Sequence, residues 1–157
     1  MAKLIIYRAK PNPAGKDKFH NFPLPRQLQG EWVDLINNHA GRLSLKGVSL
    51  DHTAFGATCA DRNYAVYWRA ADGLVLDAGE ILRIHTGKYS DAGQMAEEDR
   101  IGAHKHVWAE HGSFKLNNGA CGDALTLWYN DGTKFNDIDR ASYAPYPPEG
   151  VVSPSGT

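Results

Sequence analysis

The stretch "ALTLWYNDGTKFNDI", residues 124–138, decides the fold. In its first half Leu125, Leu127 and Tyr129 fall on one side, Thr126 and Trp128 on the other. That two-residue alternation belongs to a strand with two different faces. Asp131-Gly132 follows, a pair suited to the positive φ of tight hairpins, and "TKFNDI" resumes a strand-like run. Two antiparallel strands joined by a turn are the expectation.

Working outward, "KLIIYR", "EWVDLIN", "GVSLD", "YAVYWR" and "EILRIH" are equally short and rich in β-branched and aromatic residues. "NNHAGR", "AADG" and "DAGE" separate them as turn signals. In "EWVDLIN" the faces are mixed: Val33 and Leu35 side with Glu31, Trp32 and Ile36 with Asp34. A strand covered on both sides reads that way. The one helix candidate is "SDAGQMAEEDR", where Ser90 can cap a turn or two but the apolar positions lack helical period. Many short strands without a long amphipathic helix predict an all-β protein, a β-sandwich.

A chain of 157 residues makes one domain with a real core, and 42% hydrophobic and 22% charged residues place it among ordinary globular proteins. A net charge of −1 speaks against a duplex-binding protein driven by phosphate neutralisation. The charge is uneven, though. Lys3, Arg8, Lys10, Lys16, Lys18 and Arg26 face a single acid, Asp17, within the first 26 residues. This reads as a solvated basic arm, with a patch for nucleic acid or another anionic surface as the alternative. No apolar run reaches the ~18 residues a membrane span needs. Leu4 to Tyr7 is too short for the core of a signal peptide, so a cytoplasmic protein is expected. Cys59 and Cys121 form no CxxC, which removes zinc ribbons and redox motifs. In a reducing compartment they are expected as two free thiols.

Residues 87–113 form the longest stretch without a convincing strand, and loops of that length are usually functional or mobile. They contain "HKHVWAEH", residues 104–111. If residues 104–106 are extended, His104 and His106 point to one side, and His111 is a candidate third ligand for zinc. A zinc ion held there with an open position would support hydrolysis. The spacing is not HExxH, however, and a histidine-rich loop is the simpler reading. "HTGKYS" fails the Walker pattern, and neither GxSxG nor GxGxxG occurs. Glu97 to Arg100 reads as a solvated face, and His85 as a strand-end residue that hydrogen-bonds a loop. Among the aromatics, Tyr67 and Trp108 become candidate binding anchors if they stand exposed; otherwise they are core. Residues 144–157, "APYPPEGVVSPSGT", carry four prolines and read as an extended or disordered tail behind a 1–143 domain.

Five phrases, in order, resemble the lamin tail domain, an immunoglobulin-like β-sandwich of nuclear lamins and many bacterial proteins. "NPAGKDKF" (12–19) looks like the opening segment of bacterial members, and "GEWVDLINN" (30–38) like the first signature strand. "RLSLKGVSLDH" (42–52) is similar to the turn into the next strand. "VLDAGEILRIHTG" (75–87) has the Gly-Glu turn, alternating strand and His-Thr-Gly ending, and "LNNGACGDALTLWYNDG" (116–132) resembles the last signature. The likeness spans residues 9–143. Where the family often has Trp, this chain has Val48 and Leu116, so Trp68, Trp108 or Trp128 is expected to supply the missing bulk. Both cysteines lie in regions longer than the family's, and a disulfide is geometrically possible if those loops meet. The resemblance implies a non-catalytic module with a protein partner, needing no cofactor. Its expected surface is the 87–113 loop and an exposed sheet edge.

Overall fold

The computed structural model describes residues 3–15 and 17–156; Lys16 of the basic arm, Met1, Ala2 and Thr157 lie outside it. In chain order the strands are β1 (Leu4–Asn12), β2 (Lys18–Phe19), β3 (Phe22–Pro23), β4 (Trp32–Asn37), β5 (Leu43–Ser44), β6 (Val48–Phe55), β7 (Arg62–Arg69), β8 (Val75–Leu76), β9 (Ile81–His85), β10 (Lys105–Trp108), β11 (Asp123–Asn130), β12 (Phe135–Tyr143), β13 (Gly150–Val152) and β14 (Ser155–Gly156). Two short helices, α1 (Pro25–Gly30) and α2 (Glu97–Arg100), and a 3-10 turn over Tyr89–Gln94 complete the chain. Each of the seven segments read as strands from the sequence is one.

Two five-stranded sheets face each other. The first runs β10-β9-β4-β1-β13, the second β14-β12-β11-β6-β7; β2-β3 and β5-β8 form small separate ladders. The expected all-β sandwich is what the chain forms. Alternation builds the core. Val33 and Leu35 of β4, with Leu82 and Ile84 of β9, meet Leu50 of β6 and Leu125 and Leu127 of β11, all fully buried. Gly132 takes a positive φ of 97° in the β11–β12 turn, where the Asp131 carboxylate accepts the amides of Thr133 and Lys134.

Three expectations need correction, and a fourth, that one of three tryptophans supplies the missing bulk, is met by Trp68. Residues 87–113 are not an open loop, because Lys105–Trp108 forms β10 and pairs parallel to β9. The tail is extended but docked: Val152 pairs with Ala9 of β1, and Ser155 with Ser142 of β12. Trp68 enters the core cluster, whereas Trp108 and Trp128 stand outside it. The cysteines are not free; Cys59 and Cys121 are bridged at 2.11 Å, 62 residues apart in sequence. The bridge ties the β6–β7 loop to the segment entering β11.

Candidate functional site

On the outer face of the first sheet, strand register sets two rows side by side. Arg8, Asp34, Arg83 and His106 make one; Lys10, Trp32, His85 and Trp108 make the other. Charged groups on an open sheet would be solvated, yet Asp34 is fully buried and Arg83 only 2% exposed. The cover is the Tyr89–His104 segment. Arg83 grips both Asp34 oxygens at 2.8 Å and also donates to the carbonyls of Asp99 and Ile101. Its guanidinium lies 3.7 Å from the Trp32 ring centroid. Asp99 is not part of a solvated run: its Oδ1 accepts from Lys10 Nζ at 2.7 Å and Trp32 Nε1 at 2.9 Å. Arg8 donates to Asp34 and to Gly102, so two of the six basic-arm residues are spent internally.

The three histidines of "HKHVWAEH" do not converge on a metal. His104 Nδ1 accepts the Ile81 amide, while His111 Nε2 meets the Tyr67 carbonyl at 2.7 Å. His106 is stacked on His85, with 2.8 Å between its Nδ1 and His85 Nε2. Among the described residues no three His, Cys, Asp or Glu side chains are placed to share a cation, which corrects the zinc reading of His104, His106 and His111. The His85–His106 pair is clamped between two carbonyls, Gln29 O at 2.6 Å and Arg100 O at 3.1 Å. Three such contacts need three N–H hydrogens, and two neutral imidazoles own two. Burial pushes His85 down to about 4 and lowers His106 too, with the Arg83 charge opposing a proton on each. At neutral pH one contact therefore lacks its hydrogen, and the longest, His106 to Arg100, is the natural one.

A second polar cluster fills one end of the sandwich. Glu31 Oε1 accepts from Thr86 Oγ1 (2.7 Å) and from the amides of Lys115 and Leu116, while Tyr67 Oη lies 2.7 Å from Thr86 Oγ1. Asp123 accepts the amides of Thr53, Ala124 and Asn117. These two carboxylates fasten residues 115–117, which have no ladder of their own. Burial raises Glu31 to about 7 and Asp123 to about 6, against the hydrogen bonds that lower them. His52 is pushed down to about 4 by burial first and then by Lys115 and His111. Glu31 Oε2 and His52 Nδ1 have no hydrogen-bond partner among the described residues. The groups suit a proton-sensitive brace.

The candidate anchors separate. Tyr67 is 1% exposed and belongs to the core, so its role as a surface anchor is corrected. Trp108 is half-buried: its Nε1 donates to Gln29 Oε1, and its ring lies between His85 and Tyr89. The open aromatic surface lies on the second sheet. Tyr64 is 58% exposed and meets Trp128 edge to face at 5.7 Å, beside the exposed Val66. A hollow of about 530 Å³ touches Arg62, Tyr64 and Arg140; another of about 270 Å³ lies between Val66, Arg69, Asp51 and Trp128. Trp128 Nε1 helps hold down the carboxyl of Asp51, which burial raises, yet closes no hydrogen bond of good geometry. A larger cleft of about 1140 Å³ opens over Leu4, Leu45 and Val48, with Lys3, Lys46, Asp72 and Asp131 exposed among its lining.

Sequence reasoning missed Tyr64 because "YAVYWR" does not keep one alternation. The β6–β7 register slips after Asp51–Val66 and resumes at Leu50–Trp68. The extra residue turns both Tyr67 and Trp68 inward and leaves Arg69 outside. Two adjacent bulky aromatics closing a strand were the available signal. No family model matches the chain, and no curated protein matches it.

Proposed function

We propose that this chain is a non-catalytic protein-binding module, of the lamin-tail kind its five sequence phrases resemble, and that it presents strand β7 to its partner. One observation carries the reading. β10, β13 and β14 end their sheets as edges of four, three and two residues. Short edge strands of this sort blunt unwanted pairing. β7 is different: eight residues long, it is bonded to β6 on one side and among the described residues has no second strand partner; its Tyr67 carbonyl is met by His111 Nε2, and it exposes Tyr64 and Val66. An unpaired edge strand of this length favours recognition by strand addition, in which main-chain hydrogen bonds supply affinity. The Cys59–Cys121 bridge supports an oxidising compartment over the cytoplasm expected from the sequence, since such bridges persist where thiols are not kept reduced.

The test is a Val66→Pro substitution, which removes an edge amide and disfavours a further ladder. A partner identified from its source, purified and bound by the unaltered chain should lose affinity for the variant and protect the amides of residues 62–69 from exchange. Undiminished binding to Val66→Pro, with protection elsewhere, would sink the edge reading.

A further inference from the structure

Resting on the edge reading just given, we infer that the partner of β7 is an extended peptide strand with acidic residues near both ends and apolar residues between them. Arg62 and Arg69 stand exposed at the two ends of β7, and no acid lies within the strand. The neighbouring acids offset them only in part. Asp51 faces Arg69 from a partly buried position on β6, where burial raises its carboxyl and the Trp128 indole and the Arg69 charge lower it. The Asp61 carboxylate is folded onto Gly56, the residue that follows β6. Asp72 lies beyond the strand's end. The centre is apolar, with the Tyr64–Trp128 pair dividing the two hollows and Val66 beside it.

This pattern selects among occupants. A second copy of the chain, paired edge to edge about a two-fold axis, would set Arg62 against Arg69 of its mate at both ends of the ladder. Like charges directly opposite each other disfavour that pairing. An incoming strand with carboxylates at both ends meets a cation at each, in either chain direction. The two arginines face Phe55 and Ser49 of β6, six residues apart because of the bulge, a span of roughly 20 Å at ~3.3 Å per residue, so the acids must be about as widely spaced. Valine or an aromatic residue between them would pack on Tyr64 and Val66 as a cross-strand neighbour.

Three synthetic peptides test this, each alternating valine and threonine between end residues that are glutamate, glutamine or lysine. They are titrated to millimolar concentration into the isotopically labelled oxidised chain. The glutamate peptide should shift and protect the amides of residues 62–69. It should bind about tenfold more tightly than the glutamine peptide, a difference lost at high salt and in an Arg62→Gln/Arg69→Gln double variant that keeps the parent's unfolding temperature. Equal binding of the glutamate and glutamine peptides would overturn the acidic class while leaving the edge reading intact. No effect on residues 62–69 from any peptide would overturn both. A single-stranded oligothymidylate that shifts Tyr64 and Trp128 where the peptides do not would give the face to nucleic acid and overturn the proposal.

Discussion

Replacing Glu31 with glutamine should make the protein more stable at alkaline pH and leave it nearly unchanged in mild acid. Glu31 is 1% exposed, and burial lifts its carboxyl from 4.5 to about 7. The folded state therefore holds the proton more tightly than the unfolded state does. Stability from this residue is complete below the unfolded value and is lost as pH rises through the folded one. A rise of about 2.5 at ~1.4 kcal/mol per pH unit amounts to about 3 kcal/mol, most of it lost between pH 5 and pH 8. Glutamine keeps the oxygen that receives Thr86, Lys115 and Leu116 but has no proton to lose. Its amide takes the place of Oε2, which has no partner in the parent, so the penalty there is similar to that of the protonated acid. Urea unfolding of the oxidised chain near pH 5 and pH 8 measures the effect. The Glu31→Gln variant should gain about 2–3 kcal/mol on its parent between those values. A variant that loses ground at pH 8 would refute the reasoning, because the ionised carboxylate would then be stabilising.

Asp99→Asn should destabilise by about 3–5 kcal/mol in urea unfolding, since it leaves the Lys10 ammonium buried without its close counter-charge. Amide exchange should quicken over residues 88–104 first; a loss under 1 kcal/mol would show that Asp99 does not anchor the cover. Converting both Cys59 and Cys121 to serine releases a closure over 62 residues and should cost about 4 kcal/mol, read as a lowered unfolding temperature. Unchanged melting would mean that the bridge does not restrict the unfolded chain. The imidazole pair should be neutral at pH 7, with the His106 ring nitrogen facing Arg100 unprotonated in nitrogen-15 spectra. Because His85 is lowered to about 4, its contribution is present above 6.5 and is lost as pH falls towards 4, so His85→Gln should flatten the acid limb of stability.

What was legible in the sequence was local. Alternation in "ALTLWY", the Asp131-Gly132 turn and the double-faced "EWVDLIN" needed only near neighbours, and β11, β12 and β4 form there. What stayed hidden depended on residues far apart. Lys105–Trp108 alone carries a lysine and a histidine in four residues; it is a strand because β9 lies beside it in parallel register. Asp99 sits in a charged run and becomes buried only because Lys10 and Trp32, from strands far earlier in the chain, reach it. The histidine cluster misled for the same reason. Spacing placed His104, His106 and His111 together, but His106 found its partner in His85, 21 residues upstream.

The sandwich is covered unequally, and that asymmetry bears on function more than any single side chain. One outer face is sealed by the Tyr89–His104 segment, whose Asp99 and carbonyls saturate Lys10, Trp32 and Arg83. The tail lays β13 along one sheet and β14 along the other. Prolines at 145, 147, 148 and 154 restrict that tail, which lowers the entropy lost when it docks. Chain is thus used to close three sheet edges with short strands and one face with a segment, while β7 and the Tyr64–Trp128 face stay open. The bridge from Cys59 to Cys121 holds the β6–β7 loop in place without occupying the edge. A bare edge is a liability in a protein that does not use it, because any extended chain can pair with it. An edge left without a strand partner and flanked by two arginines is what the proposed acidic strand requires, and the same arginines disfavour pairing with a second copy.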